Sequence, residues 1–332
     1  MNEQSHFSCR ACGGNSVAET LNVREMMFGT REVFEYFRCQ DCGCLQITAV
    51  PENIGDYYAR DYYSCRKLGD LSPRLPDRLK RGYLYPRMTR SKLGWDDGFG
   101  KLLLKIGPGP PLQHWFTYLD GPVPLDLPIL DVGCGSGEDL LGLRNSGFTQ
   151  LLGIDPYLEK SLVYGSGIEV RKCQLSEVIG SFGLITLHHV FEHLDNPLET
   201  LITARKLLSQ GGRILIRIPV SDSTAFDQYR EDWAQLDAPR HITLQTRASM
   251  EHMAKAAGLK IIRIAYDSGA FQFWGSEQYR KDVPLSDPRS YSKDPDSGIF
   301  SEKEIEEFKG WADQLNRDEK GDQAAFVLTS DL

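Results

Sequence analysis

From Ile129 to Tyr266 the chain alternates between two hydrophobic rhythms. Short, largely apolar runs at Ile129–Val132, Leu151–Ile154, Glu169–Cys173, Leu184–Leu187 and Arg213–Ile218 predict buried strands, since they are too brief for helices and end in glycine, proline or polar residues. Between them, Glu138–Asn145, Leu158–Tyr164 and Pro197–Leu208 space their apolar residues three and four apart and predict helices. Another helix is predicted over Arg247–Ala257, stopped by Gly258, with a sixth strand over Lys260–Tyr266. A charged helix at Ser301–Asn316 and an apolar run at Ala324–Thr329 close the pattern. Strand and helix in alternation imply a mostly parallel sheet covered on both faces.

Upstream the rhythm changes. Phe34–Arg38 has strand character between two cysteine pairs, and Glu52–Ser64 carries four tyrosines at turn or helical spacing. Gly100–Lys105 and Leu112–Phe116 are helical pieces, and Pro122, Pro124 and Pro128 break helix just before the first strand. The chain therefore divides into a cysteine-bearing module over 1–50, a tyrosine-rich and helical connector over 51–120, and an α/β body over 121–332.

The 332 residues are 41% apolar and 25% charged, the make-up of an ordinary soluble protein. A net charge of −8 argues against nucleic acid as the main partner, because phosphate binding is driven by lysine and arginine. The basic stretch Arg74–Arg90 reads as a solvated helix face. No apolar run approaches the ~18 residues that span a bilayer, and the opening M-N-E-Q-S-H-F has neither a basic nor an apolar leader segment, so no membrane insertion and a cytoplasmic location are expected.

In such a compartment thiols stay reduced, and the 8 cysteines need a cause other than disulfides. Cys9-x-x-Cys12-Gly13 and Cys39-x-x-Cys42-Gly43 are two knuckles whose glycines permit the tight turn. Together they offer four sulfurs, the donor set that structural Zn2+ prefers, and a segment this short has too little core to fold without such a pin. Cys44 fits neither knuckle. With every ligand supplied by protein, the metal would be structural.

The richest stretch is I-L-D-V-G-C-G-S-G, Ile129–Gly137: an apolar strand, then an acid, then glycines at 133, 135 and 137. Glycine is used where a side chain would block a ligand or where φ is positive, and the helix opening at Glu138 turns free N–H groups toward the same space. The third glycine comes too early for a dinucleotide fingerprint, and Asp131 would repel a pyrophosphate, so a cationic or neutral ligand head fits better. Asp155, at the end of the next strand, stands where an acid takes ribose hydroxyls in this topology.

These residues resemble the D-x-G-x-G-x-G turn of class I S-adenosylmethionine-dependent methyltransferases. The likeness extends through H-H-V-F-E-H-L-D-N-P at His188–Pro197 and L-L-S-Q-G-G-R-I-L-I-R-I-P at Leu207–Pro219. It implies a Rossmann-like seven-stranded sheet, mostly parallel with an antiparallel last strand, preceded here by a small zinc-ribbon module. It also implies S-adenosyl-L-methionine held by Asp131, Gly133, Gly135, Gly137, Asp155 and Pro156, with His188 and His189 lining it.

An acceptor hydroxyl must lose its proton for methyl transfer, and histidine is the usual base near neutral pH. His193 and His241 are the candidates, although Glu192-His193 could equally cap the following helix. The layout of ribbon, tyrosine-rich segment and methyltransferase sheet is similar to bacterial sugar and glycan-cluster methyltransferases, in which a tyrosine and two histidines matching Tyr63, His193 and His241 surround the acceptor. Arg240 stands where some of those enzymes have an acid, which would suit an anionic acceptor such as a nucleotide-linked sugar. A small-molecule acceptor is the first expectation. Ribosomal RNA methyltransferases with a zinc module, quinone-type O-methyltransferases that hold a divalent ion at V-x-E-H, and a binding module with a vestigial cofactor site are the alternatives.

Overall fold

The structure is a computed structural model describing residues 8–58 and 80–330. Two sheets organise it. In chain order the strands are β1 (Val17–Arg24), β2 (Val33–Cys39), β3 (Leu45–Ile47), β4 (Ile129–Val132), β5 (Leu151–Ile154), β6 (Leu162–Val163), β7 (Glu169–Arg171), β8 (Phe182–His188), β9 (Leu208–Pro219), β10 (Thr243–Leu244), β11 (Leu259–Tyr266) and β12 (Gln323–Ser330). The larger sheet runs β11-β12-β9-β8-β4-β5-β7-β6, and the smaller runs β1-β2-β3-β10.

The centre of the larger sheet is parallel, from β9 through β8, β4 and β5 to β7. β12 inserts antiparallel between β9 and β11, as the resemblance implied. Because successive side chains in a strand face opposite ways, both faces can be apolar only if consecutive residues enter different cores. They do: Leu130, Ile185, Ile214, Ile216 and Phe326 join one core, while Ile129, Leu184, Leu215 and Val327 join the other. The first is covered by helices α4 (Pro197–Lys206) and α6 (Arg247–Ala256), the second by α3 (Glu138–Asn145) and a 3-10 turn at His114–Tyr118. α1 (Tyr85–Lys92) and α2 (Gly98–Ile106) precede them in the connector.

The helix expected over Leu158–Tyr164 does not form. Leu162 and Val163 pair antiparallel with Val170 and Glu169, adding an eighth, edge strand to the expected seven. Gly167, at φ 80°, donates to the Tyr164 carbonyl at 2.8 Å and closes the hairpin. The leucine spacing was helical, but a glycine in the left-handed region ends a helix and makes a tight turn.

The small sheet is not confined to the N-terminal fifty residues. β10, which follows β9 by more than twenty residues, pairs with β3 through Thr243–Gln46 and Leu244–Leu45. The far side of this sheet meets α5 (Thr224–Tyr229), α7 (Phe271–Arg280) and α8 (Glu302–Arg317), and Tyr36, Leu45, Phe226, Trp233, Phe273 and Phe308 fill a third core there. Among the described residues no helix is long and apolar enough to cross a membrane.

Candidate active site

The parallel strands β4, β5 and β8 end side by side, and the chemistry collects beyond their carboxyl ends. Gly133, Gly135 and Gly137 all adopt positive φ, at 69°, 53° and 85°. A Cβ on Gly133 would stand 2.4 Å from Val190 Cγ2, and one on Gly137 2.8 Å from Val170 Cγ2, so the turn admits no side chain at either place. The Gly135 N–H donates to Asp155 Oδ2 at 3.0 Å and the Tyr157 N–H to Oδ1 at 2.8 Å, which fixes the β5 carboxylate against the loop. Pro156 follows, half-buried, and Tyr157 after it is exposed.

Asp131, Gly133, Cys134, Glu138, Asp139 and His188 line a cleft of about 180 Å³. Asp131 is buried and accepts from Thr186 Oγ1 at 2.8 Å. Burial, then the Asp139 charge, pushes its carboxyl up to about 7 against the Thr186 hydrogen bond. Burial pulls the His188 imidazole down to about 3, with Arg217 adding to the effect, and its ring lies 5.0 Å from that of Trp115. A cleft with three acids and a neutral imidazole has the potential of a cation site. Such a potential suits a ligand head with a sulfonium and an ammonium group.

His189, at φ 53°, turns its ring elsewhere: Nε2 receives Arg217 Nη1 at 2.7 Å and Nδ1 stands 3.4 Å from Glu192 Oε1. Beyond it lies a second constellation. Glu192, His193 and His241 place their donor atoms within 4.8 Å of one another. The two ring centroids are 4.8 Å apart. His241 Nδ1 lies 2.7 Å from the Gln235 carbonyl and His193 Nδ1 2.8 Å from the Arg240 carbonyl. A carbonyl at that distance requires the proton on Nδ1, leaving each Nε2 with a lone pair. Burial, then His193, pulls the His241 imidazole down to about 4. Burial alone would raise the Glu192 carboxyl, but His189, His193 and His241 together outweigh it and bring it down to about 2.

The capping alternative for Glu192 and His193 fails, because α4 starts at Pro197 and Glu192 is fully buried before it. Tyr63 lies outside the described residues. Another tyrosine of the same segment, Tyr58, reaches the site: its hydroxyl is 3.1 Å from His193 Nδ1 and its ring stacks at 6.3 Å on Tyr157, two residues beyond Asp155. Tyr58 and Glu192 are the residues sequence reasoning missed. Two tyrosine pairs, at 57–58 and 62–63, pointed to the segment but not to the member, and nothing local marks Glu192 as buried.

Arg240 does not serve an acceptor. It is wholly buried, bonded to Asp237 at 2.6 and 2.9 Å, Glu25 at 2.9 Å and the Tyr57 carbonyl at 3.2 Å. Every one of these partners is protein, so the guanidinium ties the N-terminal module to the His241 loop and has no face for an anion.

At the module itself, Cys9–Cys42 and Cys12–Cys39 sulfurs are each 3.6 Å apart, and all four lie within 4.8 Å. Gly13 and Gly43, at φ 73° and 75°, donate to the Cys9 and Cys39 carbonyls and make the two knuckles alike. Cys44 is buried beside them with its sulfur toward the Leu45 carbonyl.

Residues 62–264, more than half of the chain, match the family described as methyltransferase domain. The chain belongs to that family. This methyltransferase is S-adenosylmethionine-dependent. Among solved structures it is similar to an S-adenosylmethionine-dependent methyltransferase from Mesorhizobium loti, at 15% identity over 62% of this chain and 93% of that one, TM-score 0.39. It is also similar to the cyclopropane synthase MmaA2 from Mycobacterium tuberculosis, at 15% identity over 78% and 99%, TM-score 0.41. A third, from Archaeoglobus fulgidus, shares 18% over 72% and 96%, TM-score 0.38. No curated protein matches the methyltransferase.

Proposed function

We propose that this methyltransferase acts on a small-molecule acceptor, a sugar or nucleotide-linked sugar of glycan or secondary-metabolite synthesis. The observation that carries the reading is the Tyr58 bridge: one side chain meets both Tyr157, two residues beyond Asp155, and His193, whose ring lies against that of His241. Asp131, Gly133, Gly135, Gly137, Asp155, Pro156 and His188 would hold the donor, with His189 behind them. The bound donor supplies a sulfonium methyl as the electrophile. The chain's task is to align an acceptor oxygen with it and manage that oxygen's proton. His193 and His241 are suited to this, since carbonyls fix their Nδ1 protons and leave Nε2 to the acceptor. With Arg240 committed to Asp237 and Glu25, an anionic acceptor would have to be recognised elsewhere.

The four thiols are proposed to hold structural Zn2+. A tetrahedral ion ~2.3 Å from each sulfur needs sulfurs about 3.8 Å apart, and the two pairs stand at 3.6 Å. The net charge of −8 favours a small molecule over RNA. The test is labelled donor incubated with a panel of nucleotide sugars, RNA and quinone precursors. Label in the sugars supports the reading, and label in RNA replaces it.

A further inference from the structure

We propose that the helix pair α1 and α2 is a docking surface for a bilayer with anionic lipid headgroups, on which the protein lies without spanning it. The inference is independent of the acceptor reading.

A helix of a globular protein ordinarily turns its apolar stripe inward. In α2 the stripe faces out: Phe99, Leu102 and Ile106, three and four residues apart, are 43%, 53% and 80% exposed. The inner side is fixed by other contacts. Asp97 caps α2 by accepting from the Gly100 N–H at 2.8 Å, and a Cβ on Gly100 would collide with the Arg87 carbonyl oxygen, so α2 lies directly on α1. Trp95 Nε1 donates to the Val123 carbonyl at 3.0 Å and ties the turn between the two helices to the body. Tyr83, just before α1, continues the exposed surface, its ring 6.4 Å from that of Phe99 with the Arg87 guanidinium 5.2 and 5.6 Å from the two. Apolar and aromatic side chains gathered in this way on a surface mark a contact with something outside the chain.

Charge decides the occupant. Residues 80–106 hold seven lysines and arginines against two aspartates, in a chain whose net charge is −8. The aspartates are taken up by Lys101, 2.9 Å from Asp96, and Arg87, 3.5 Å from Asp97. Arg90, Lys92 and Lys105 are exposed and, among the described residues, have no acidic partner. Lys101 and Lys105 run along one flank of the apolar stripe, as their helical spacing requires. An apolar stripe with a cationic border is how a short helix lies in the headgroup region, its apolar side chains at the acyl boundary and its cations on lipid phosphates. A second copy would bring the same positive excess against this one, and a stripe about 10 Å long falls far short of the roughly 800 Å² per partner that a stable protein interface buries. RNA would engage the cations and leave Leu102 and Ile106 in water. A bilayer surface uses both, and the 9 residues of α2 are too few to cross it.

The test is flotation of the full chain with vesicles of phosphatidylcholine alone and of phosphatidylcholine carrying about one third phosphatidylglycerol. Binding to the anionic vesicles is expected to be at least tenfold tighter, and to weaken about tenfold when salt rises from ~0.1 M to ~0.5 M. Leu102→Glu, Ile106→Glu and Lys105→Glu should each weaken it about tenfold, while Ile262→Glu, at an exposed apolar residue of β11, leaves it unchanged. Each replaced side chain is exposed, so all four variants should keep the wild-type circular dichroism and an S-adenosylhomocysteine affinity within twofold. Failure to float with anionic vesicles overturns the proposal, as does equal binding to both compositions or binding that survives the three α2 substitutions. Salt-sensitive RNA binding without flotation would put RNA in place of lipid. A concentration-dependent dimer lost in Leu102→Glu, again without flotation, would put a second copy there. Label transfer to sugars is read separately, so none of these outcomes bears on the acceptor reading.

Discussion

Asp131 should couple donor binding to pH. Its carboxyl is raised from 3.8 to about 7 by burial and by Asp139. Between those values the folded protein holds a proton that the unfolded chain has lost, so stability of the free protein falls as pH rises through that window. A cationic donor binds the ionised form, so its affinity should rise about tenfold from pH 6 to pH 8. Calorimetric titration at the two values checks this, and Asp131→Asn should flatten the dependence. Arg240 gives the opposite lesson. With both sides of its ion pairs buried, Arg240→Ala should lower stability by about 3–5 kcal/mol, measured by denaturant unfolding, and a loss near zero would contradict its place between Glu25 and Asp237. Its sequence setting suggested a ligand contact because an arginine in a polar loop looks exposed. Only the long-range approach of Glu25, 215 residues away, shows otherwise.

At the scale of elements, legibility followed locality. The glycine turn, β4, β5, α3 and α4 were readable because each is specified by neighbours in sequence. β10 was not, since two residues pair with a strand nearly two hundred positions earlier. That pairing has a functional consequence. Ile47 N–H donates to the Ile242 carbonyl at 3.0 Å and Thr246 Oγ1 to the Cys42 carbonyl at 2.6 Å, so the thiol cluster and the His241 loop are one assembly. Removing the proposed Zn2+ with a strong chelator, or Cys42→Ser, should therefore reduce methyl transfer by at least tenfold while S-adenosylhomocysteine affinity changes little. Parallel loss of both would show that the module merely holds the whole fold together. Gly133→Ala is the converse case: the 2.4 Å approach to Val190 Cγ2 and φ of 69° should abolish donor binding while leaving the thiol cluster loaded, as elemental analysis would show.

Across the whole molecule, the three largest cores of the described residues explain why a methyltransferase sheet carries so much extra chain. Two lie on the faces of the large sheet, and the third joins the N-terminal strands to α5, α7 and α8. The segment after β11, which sequence periodicity left without a role beyond a charged helix, supplies one wall of that third core through Phe273 and Phe308. The proposed acceptor site, at His193 and His241, thus lies where the module, the sheet's carboxyl edge and Tyr58 meet. Everything proposed about the acceptor presupposes that the neighbouring cleft takes the sulfonium donor. The direct measurement is calorimetric titration of the full chain with S-adenosylmethionine and with S-adenosylhomocysteine: the account predicts one site per chain for each, lost in Gly133→Ala. Absence of binding by both ligands to folded wild-type protein would contradict it.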